Sequence, residues 1–374
     1  MQLAQLSSVK HRVHLGAPLP FNVRDADKTL LLARGQRIQS GEQLEALFSR
    51  GALVDLAELQ TAREEITKAP RGQLPRLWQR CLLQVSQTLL NPSPGQSLVN
   101  ALEEAAQPLQ TLIERDADLA IFQVLRQGGN ADLAYGAQRS LQTAITALLV
   151  AQRLAWDDAQ CELAFKVALT MNISMLALQG ELARQTTPPR ATQRDELRSH
   201  PMRSVQILQL AGVDDAEWLE AVLHHHENED RSGYPSGCSN VSELASLARR
   251  ADTYTSKLAS RSTRDALAAD LAGRQMFMQD PGHPMTAALV KEFGIYPAGC
   301  YVRLASGELA IVVQRGKSIT APVVACLTTP RGQCLSEPER RETSLPAHAV
   351  VAVVGEGSIR KPLPLDRLAA LVIG

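Results

Sequence analysis

Residues 224–235 read His224-His225-His226-Glu227-Asn228-Glu229-Asp230-Arg231-Ser232-Gly233-Tyr234-Pro235, and no other dozen residues constrain the fold as tightly. Ahead of them, residues 216–223 have the period of a helix, with Trp218, Leu219, Val222 and Leu223 sharing one apolar sector. At roughly 100° per residue, His225 and His226 fall in or beside that sector, and His224 falls opposite with Glu220. A buried imidazole needs a hydrogen-bond partner or a metal ion. Two of them at a helix end, followed by Glu227 and Asp230, offer an oxygen and nitrogen donor set for iron, manganese or zinc; a hydrogen-bonded histidine pair without metal is the alternative. Gly233-Tyr234-Pro235 then supplies a residue free to take positive φ, an amphipathic ring and a fixed φ, which together hold a loop rigidly beside a site.

The chain has 374 residues, enough for two or three domains with cores of their own. Its 39 basic and 39 acidic residues cancel, which argues against nonspecific binding to DNA, RNA or an anionic membrane. The six cysteines, Cys81, Cys161, Cys238, Cys300, Cys326 and Cys334, form no CxxC pair and sit largely in apolar surroundings, as in a reducing compartment. The N-terminus lacks a basic-then-apolar signal pattern, and the apolar run at 147–151 ends at Gln152-Arg153, far short of the roughly 20 residues that span a bilayer. The expectation is a cytoplasmic protein.

Four regions follow from the patterning. Residues 1–60 alternate short apolar segments with turns, and Ser40 with Gln43 opens a helix that stops at Gly51, giving a small α+β module. Residues 70–130 carry helical periods through Leu77, Cys81, Leu82, Val85 and Leu89, then Leu102, Ala105, Leu109 and Leu112, with a break at Asn91-Pro92-Ser93-Pro94-Gly95. These helices would cover the central domain or a second subunit, which leaves a homodimer open. Gly128-Gly129-Asn130 marks a boundary, and residues 131–293 are helical apart from loops at Thr187-Pro188-Pro189 and 233–240. Residues 294–374 return to strand-and-turn punctuation, a β-rich extension.

Residues 225–235 resemble the HHExxDGxGYP signature of the HD-GYP family, bacterial enzymes of the HD superfamily that hydrolyse cyclic di-GMP at a two- or three-metal centre. Every signature position matches except Arg231, which replaces a glycine. The segment around Leu30-Leu31-Leu32 and Gly35 is similar to modules that precede such domains, where they sense or dock; Asp27-Lys28 stands where a turn glycine is commoner. A packing module without ligand is the alternative. "GIYPaGcyVrLasGElAiVV", from Gly294, is similar to the tail that follows the family's core. The resemblance implies a mainly α fold: a helical HD-GYP-like domain, preceded by the α+β module and helices and followed by a small β-rich subdomain.

The resemblance also implies a ligand set. His200-Pro201 matches the family's HPxxG turn, with Ser204 at the glycine. His225 and His226 belong to the signature, and Asp252 matches a later aspartate ligand. Arg261 and Arg264 follow at the spacing of arginines that grip the dinucleotide phosphates, a role suited to a guanidinium fork; a solvated basic edge is the alternative. Tyr234 would lie near a base or phosphate. Other positions depart from the family. Met171, Asn172 and Met175 stand where it has the histidine, aspartate and lysine of its HD pair, and Tyr135 and Arg139 stand where it has a glutamate and a histidine. A neutral Asn172 bridges cations poorly, and an inward Arg139 would set a fixed charge where a cation belongs. His200, His225, His226 and Asp252 would then hold one iron, manganese or zinc ion, or none, as a hydrogen-bonded polar core. The lost ligands favour the second. The implied function is a catalytically impaired member of cyclic di-GMP signalling that binds the nucleotide, a signalling partner, or both; a phosphodiesterase with a reduced metal site and a pure scaffold are the rivals.

Overall fold

The structure is a computed structural model that describes residues 3–55, 61–91, 98–126, 135–316 and 318–374. Pro92-Ser93-Pro94-Gly95 and Gly128-Gly129-Asn130, read above as a break and a boundary, lie outside the described residues. The chain forms two compact units, Met1–Ala69 and Pro70–Gly374.

In the first unit, strands β1 (Leu3–Gln5), β2 (Val23–Arg24), β3 (Leu30–Leu32) and β4 (Leu53–Asp55) make an antiparallel sheet in the order β1-β4-β2-β3. Helix α1 (Gly41–Ser49) starts where the Ser40 hydroxyl accepts the Gln43 amide at 3.2 Å, as the sequence implies, and ends at Gly51 with φ +67°. Leu6, Phe21, Val23, Ile38 and Val54 form its core. Lys28, which occupies the expected glycine position of the β2–β3 turn, has φ +72°. The backbone there keeps the conformation a glycine would take at no steric cost. Helix α2 (Ala62–Lys68), opened by a Thr61 and Glu64 capping box, extends this unit past residue 60.

The second unit is mainly helical, as the sequence implies. Its elements are α3 (Leu74–Leu90), α4 (Leu98–Arg115), α5 (Ala117–Arg126), α6 (Tyr135–Arg153), α7 (Asp158–Thr170), α8 (Leu176–Arg184), α9 (Ala191–Leu210), α10 (Ala216–His224), α11 (Glu243–Leu258), α12 (Ala269–Gln279) and α13 (Pro284–Phe293). Helix α6 is buried on nearly every side, which its run of Ala, Leu, Ile, Val and small hydroxyl residues permits. Helices α3, α4, α5, α7, α8, α11 and α13 all pack on it. Gly136 is required for the approach of α8, because a Cβ there would lie 2.3 Å from the Leu176 carbonyl oxygen. One described segment, Asp158–Arg184, is apolar and long enough to cross a bilayer; 67% of its apolar 18-residue stretch is buried in this core, and the segment is broken into α7 and α8 around Asn172.

Strands β5 (Tyr301–Leu304), β6 (Leu309–Gln314), β7 (Val323–Thr328), β8 (Cys334–Glu342) and β9 (Val350–Val353) form an antiparallel sheet in the order β8-β7-β6-β5-β9. The β-rich ending is thus present, with one addition: α14 (Leu365–Ile373) closes the chain and packs on α3, α5 and β6.

Candidate functional site

The loop after α10 is folded tightly on itself. Glu227 is fully buried, and its Oε1 accepts the amides of Ser236 at 2.6 Å and Gly237 at 3.0 Å, while the Tyr234 amide donates to the His226 carbonyl at 3.2 Å. A Cβ on Gly233 would lie 2.4 Å from the Glu227 Cα, so glycine is needed there for close approach and not for positive φ. Arg231, at the expected glycine, has φ +67°. Asp230 is exposed and accepts the Ser232 amide and hydroxyl. Glu227 and Asp230, the oxygen donors read from the sequence, hydrogen-bond within the loop, and the gathered donor set among the described residues is His200, His225 and His226, with one ring nitrogen of each within 4.8 Å of the others.

Three elements bring those rings together. His200 and Pro201 sit inside α9 and not in a turn, which corrects the sequence expectation. Pro201 has no N–H to give the carbonyl four residues back, that of Leu197. The His200 ring uses it instead, with Nδ1 2.6 Å from that oxygen. His225 caps the C-terminus of α10, where unpaired carbonyls collect, and its Nδ1 is 2.7 Å from the Val222 oxygen. The two Nε2 atoms then meet at 3.0 Å. Two neutral rings carry two N–H hydrogens between them, so these three contacts are one hydrogen short. Either a proton or a metal ion between the Nε2 atoms would make up the deficit.

Burial opposes the proton. Desolvation, followed by the charge of a neighbouring imidazole, pushes His200, His225 and His226 down to about 3. The three rings are thus neutral, the form in which imidazole ligates metal, and the donor set fits one divalent ion. Tyr234 stacks on His226 with ring centroids 4.6 Å apart, and burial raises its phenol pKa.

Asp252, the proposed fourth ligand, is otherwise engaged. Its Oδ1 accepts Nη2 of Arg139 at 3.0 Å, and it is not part of the histidine donor cluster. Arg139 is buried and points inward from α6; desolvation lowers its pKa, opposed chiefly by Asp252. Tyr135, Met171, Asn172 and Met175 are buried too. Arg261 and Arg264 are exposed in a turn after α11, where Arg264 Nη2 donates to the Ser256 carbonyl at 2.5 Å and Arg261 Nη2 to the Ser256 hydroxyl at 3.2 Å. Both bear electrostatically on Arg139.

Sequence reasoning missed the serine clasp that fixes α9. Ser204, fully buried at the expected glycine, lies 2.9 Å from the Ser174 hydroxyl, which donates to the His200 carbonyl at 2.9 Å. Nothing in the local pattern of residues 172–176 signals it.

Residues 124–276 match the family model described as HD domain. The chain is 34% identical over 143 residues to the cyclic di-GMP phosphodiesterase PA4108 of Pseudomonas aeruginosa, a match spanning 37% of this chain and 34% of that protein's length. A solved structure of Bd1817, a HDG"Y"P protein from Bdellovibrio bacteriovorus, is similar with a TM-score of 0.48 and 18% identity, covering 78% of this chain and 98% of that one. The matched segment holds His200, the signature loop and Asp252, and so residues 124–276 of this chain form an HD domain.

Proposed function

We propose that this HD domain is catalytically impaired and serves cyclic di-GMP signalling as a binding domain that holds no more than one divalent metal. The observation that carries the reading is the buried ion pair of Arg139 with Asp252 at 3.0 Å. Two-metal hydrolysis needs two cations about 3.5–4 Å apart to activate water and neutralise the attacked phosphodiester. A guanidinium bound to one of the carboxylates, with Met171 and Asn172 in place of a histidine and an aspartate, opposes that arrangement. The relative from Pseudomonas is named as a cyclic di-GMP phosphodiesterase, which makes that dinucleotide the ligand to try first.

In this reading Arg261 and Arg264 pair with phosphate oxygens, and Tyr234 borders the bound ligand. Its regulatory action is a shift between conformers, which requires that the nucleotide or a protein partner bind one of them more tightly. The site would work in the cytoplasm.

A second reading, a hydrolase with one metal, is favoured by the facing Nε2 atoms of His200 and His225. They would hold the ion with His226, and the metal would supply a Lewis acid.

The test is elemental mass spectrometry on protein purified without chelator or affinity-tag metal, with a cyclic di-GMP hydrolysis assay in added manganese or ferrous iron. No turnover with one metal or none supports the first reading. One metal with turnover that His225→Ala abolishes supports the second, and two metals with turnover defeats both.

A further inference from the structure

We propose that Tyr135 and Arg139, assisted by the Asn172 amide, form an anion site that takes a phosphate oxygen directly, in the part of the pocket where the resemblance implies cations. The inference rests on the reading of this pocket as a nucleotide site. The Tyr135 hydroxyl, Nη1 of Arg139 and Oδ1 of Asn172 are among the buried polar atoms with no hydrogen-bond partner among the described residues. Their residues are 9%, 4% and 2% exposed, so bulk solvent hardly reaches them. A buried unpaired polar group is costly, and its persistence calls for an explanation such as a ligand.

The three coincide with three of the positions where the resemblance implies metal ligands. Tyr135 and Arg139 are one turn apart on α6, which sets hydroxyl and guanidinium on the same side of the helix. Arg139 spends Nη2 on Asp252 and keeps Nη1 for another acceptor. The two ends of the Asn172 amide exchange by a half-turn, so it can present its N–H₂.

Charge points the same way. Beyond its partner Asp252, the charged groups that bear most on Arg139 are the guanidinium groups of Arg261 and Arg264, an excess of positive charge. That excess repels a metal cation and attracts a phosphate. The Asp252 carboxylate opposes the anion, but Nη2 of Arg139 already neutralises it.

The experiment titrates the full chain, stripped with EDTA, with inorganic phosphate and with cyclic di-GMP by calorimetry. It compares the parent, Tyr135→Phe, and a double variant carrying Arg261→Ala and Arg264→Ala. Tyr135→Phe removes a hydroxyl that nothing in the described chain uses, so its melting temperature should equal or exceed the parent's. It should weaken both ligands roughly tenfold, the scale of a hydrogen bond to a charged group, whereas the rim variant weakens cyclic di-GMP more than phosphate. If Tyr135→Phe binds both ligands as the parent does, the anion site is overturned, and the rim variant alone decides the nucleotide reading. Phosphate binding without cyclic di-GMP binding, lost in Tyr135→Phe, keeps the anion site and overturns the nucleotide reading. Binding of neither ligand, or binding only after metal is restored, overturns the anion site.

Discussion

Nε2 of His200 lies 3.0 Å from Nε2 of His225, and each ring turns its Nδ1 onto a backbone carbonyl. Both rings, and His226 beside them, are held at about 3, against an ordinary 6.5, first by burial. In the unfolded chain the same residues titrate normally, so between those limits the unfolded state binds more protons. Stability contributed by the neutral cluster is complete above pH 6.5 and falls as pH drops toward 3. Each histidine adds a slope approaching 1.4 kcal/mol per pH unit, roughly, once it is protonated only when unfolded. Urea unfolding of metal-free protein should therefore show a loss of at least about 1 kcal/mol between pH 6 and pH 5. An unchanged midpoint over that interval would contradict the neutral cluster.

Pro201 separates stability from site geometry. Pro201→Ala restores an N–H that competes with the His200 ring for the Leu197 carbonyl, and removes a proline from a helix interior, where it costs about 3 kcal/mol. The variant should unfold at higher temperature. Metal binding should move the other way, weakening about tenfold, because the contact that fixes a ligand's tautomer and ring direction commonly carries that much affinity. Zinc titration followed by thermal unfolding reads both effects, and a gain in stability with unchanged metal affinity would show that His200 does not depend on that carbonyl.

The contiguous features of this site were legible in the sequence. His225, His226, Gly233 and Tyr234 act within a dozen residues, and one helical period was enough to turn the first two inward. The partnership of Arg139 with Asp252 was not legible, since its members are 113 positions apart and each was assigned a separate role. His200 was found but misplaced in a turn, because the proline that usually ends a helix here sits within one. The long strand β8 escaped notice for a different reason, because its charged and mostly exposed residues show no apolar alternation; α14 has a plain helical period through Leu368, Ala369, Val372 and Ile373 that the reading of 294–374 as β-rich passed over.

Arg231 and Lys28 both hold positive φ at positions where the resemblance has or favours glycine. A side chain in that region costs roughly 1–2 kcal/mol, part of which glycine gives back through its greater freedom when unfolded. Arg231→Gly and Lys28→Gly should each stabilise their own unit by about 0.5–1 kcal/mol in denaturant titration. Arg231→Ala should give no such gain. Equal effects from alanine and glycine would mean that the side chain, and not the backbone, sets the energy.

Arg139→Met leaves the Asp252 carboxylate, 21% exposed, without its partner. Removing one member of a buried pair costs about 3–5 kcal/mol, and the partial exposure of Asp252 places this case at or below the lower end. Adding Asp252→Asn should recover most of the loss, a coupling that a double-mutant cycle of urea midpoints measures. Additive losses would show the pair contributes little.

The same position tests the proposed reading, in which residues 135, 139, 171 and 172 keep this pocket from holding two metals. Tyr135→Glu, Arg139→His, Met171→His and Asn172→Asp together replace a guanidinium and three poor donors with one imidazole and two carboxylates plus a second imidazole, and they release Asp252. The buried positive charge is gone, and a carboxylate is again available to bridge two cations. The quadruple variant should bind two divalent ions per chain, by elemental mass spectrometry, where the proposed function gives the parent no more than one, and manganese-dependent hydrolysis of cyclic di-GMP should appear. A variant that keeps the parent's helical circular dichroism yet gains no second metal would place the defect elsewhere, in the packing of α6 against α7 and α11 that sets the distance between the two ligand groups.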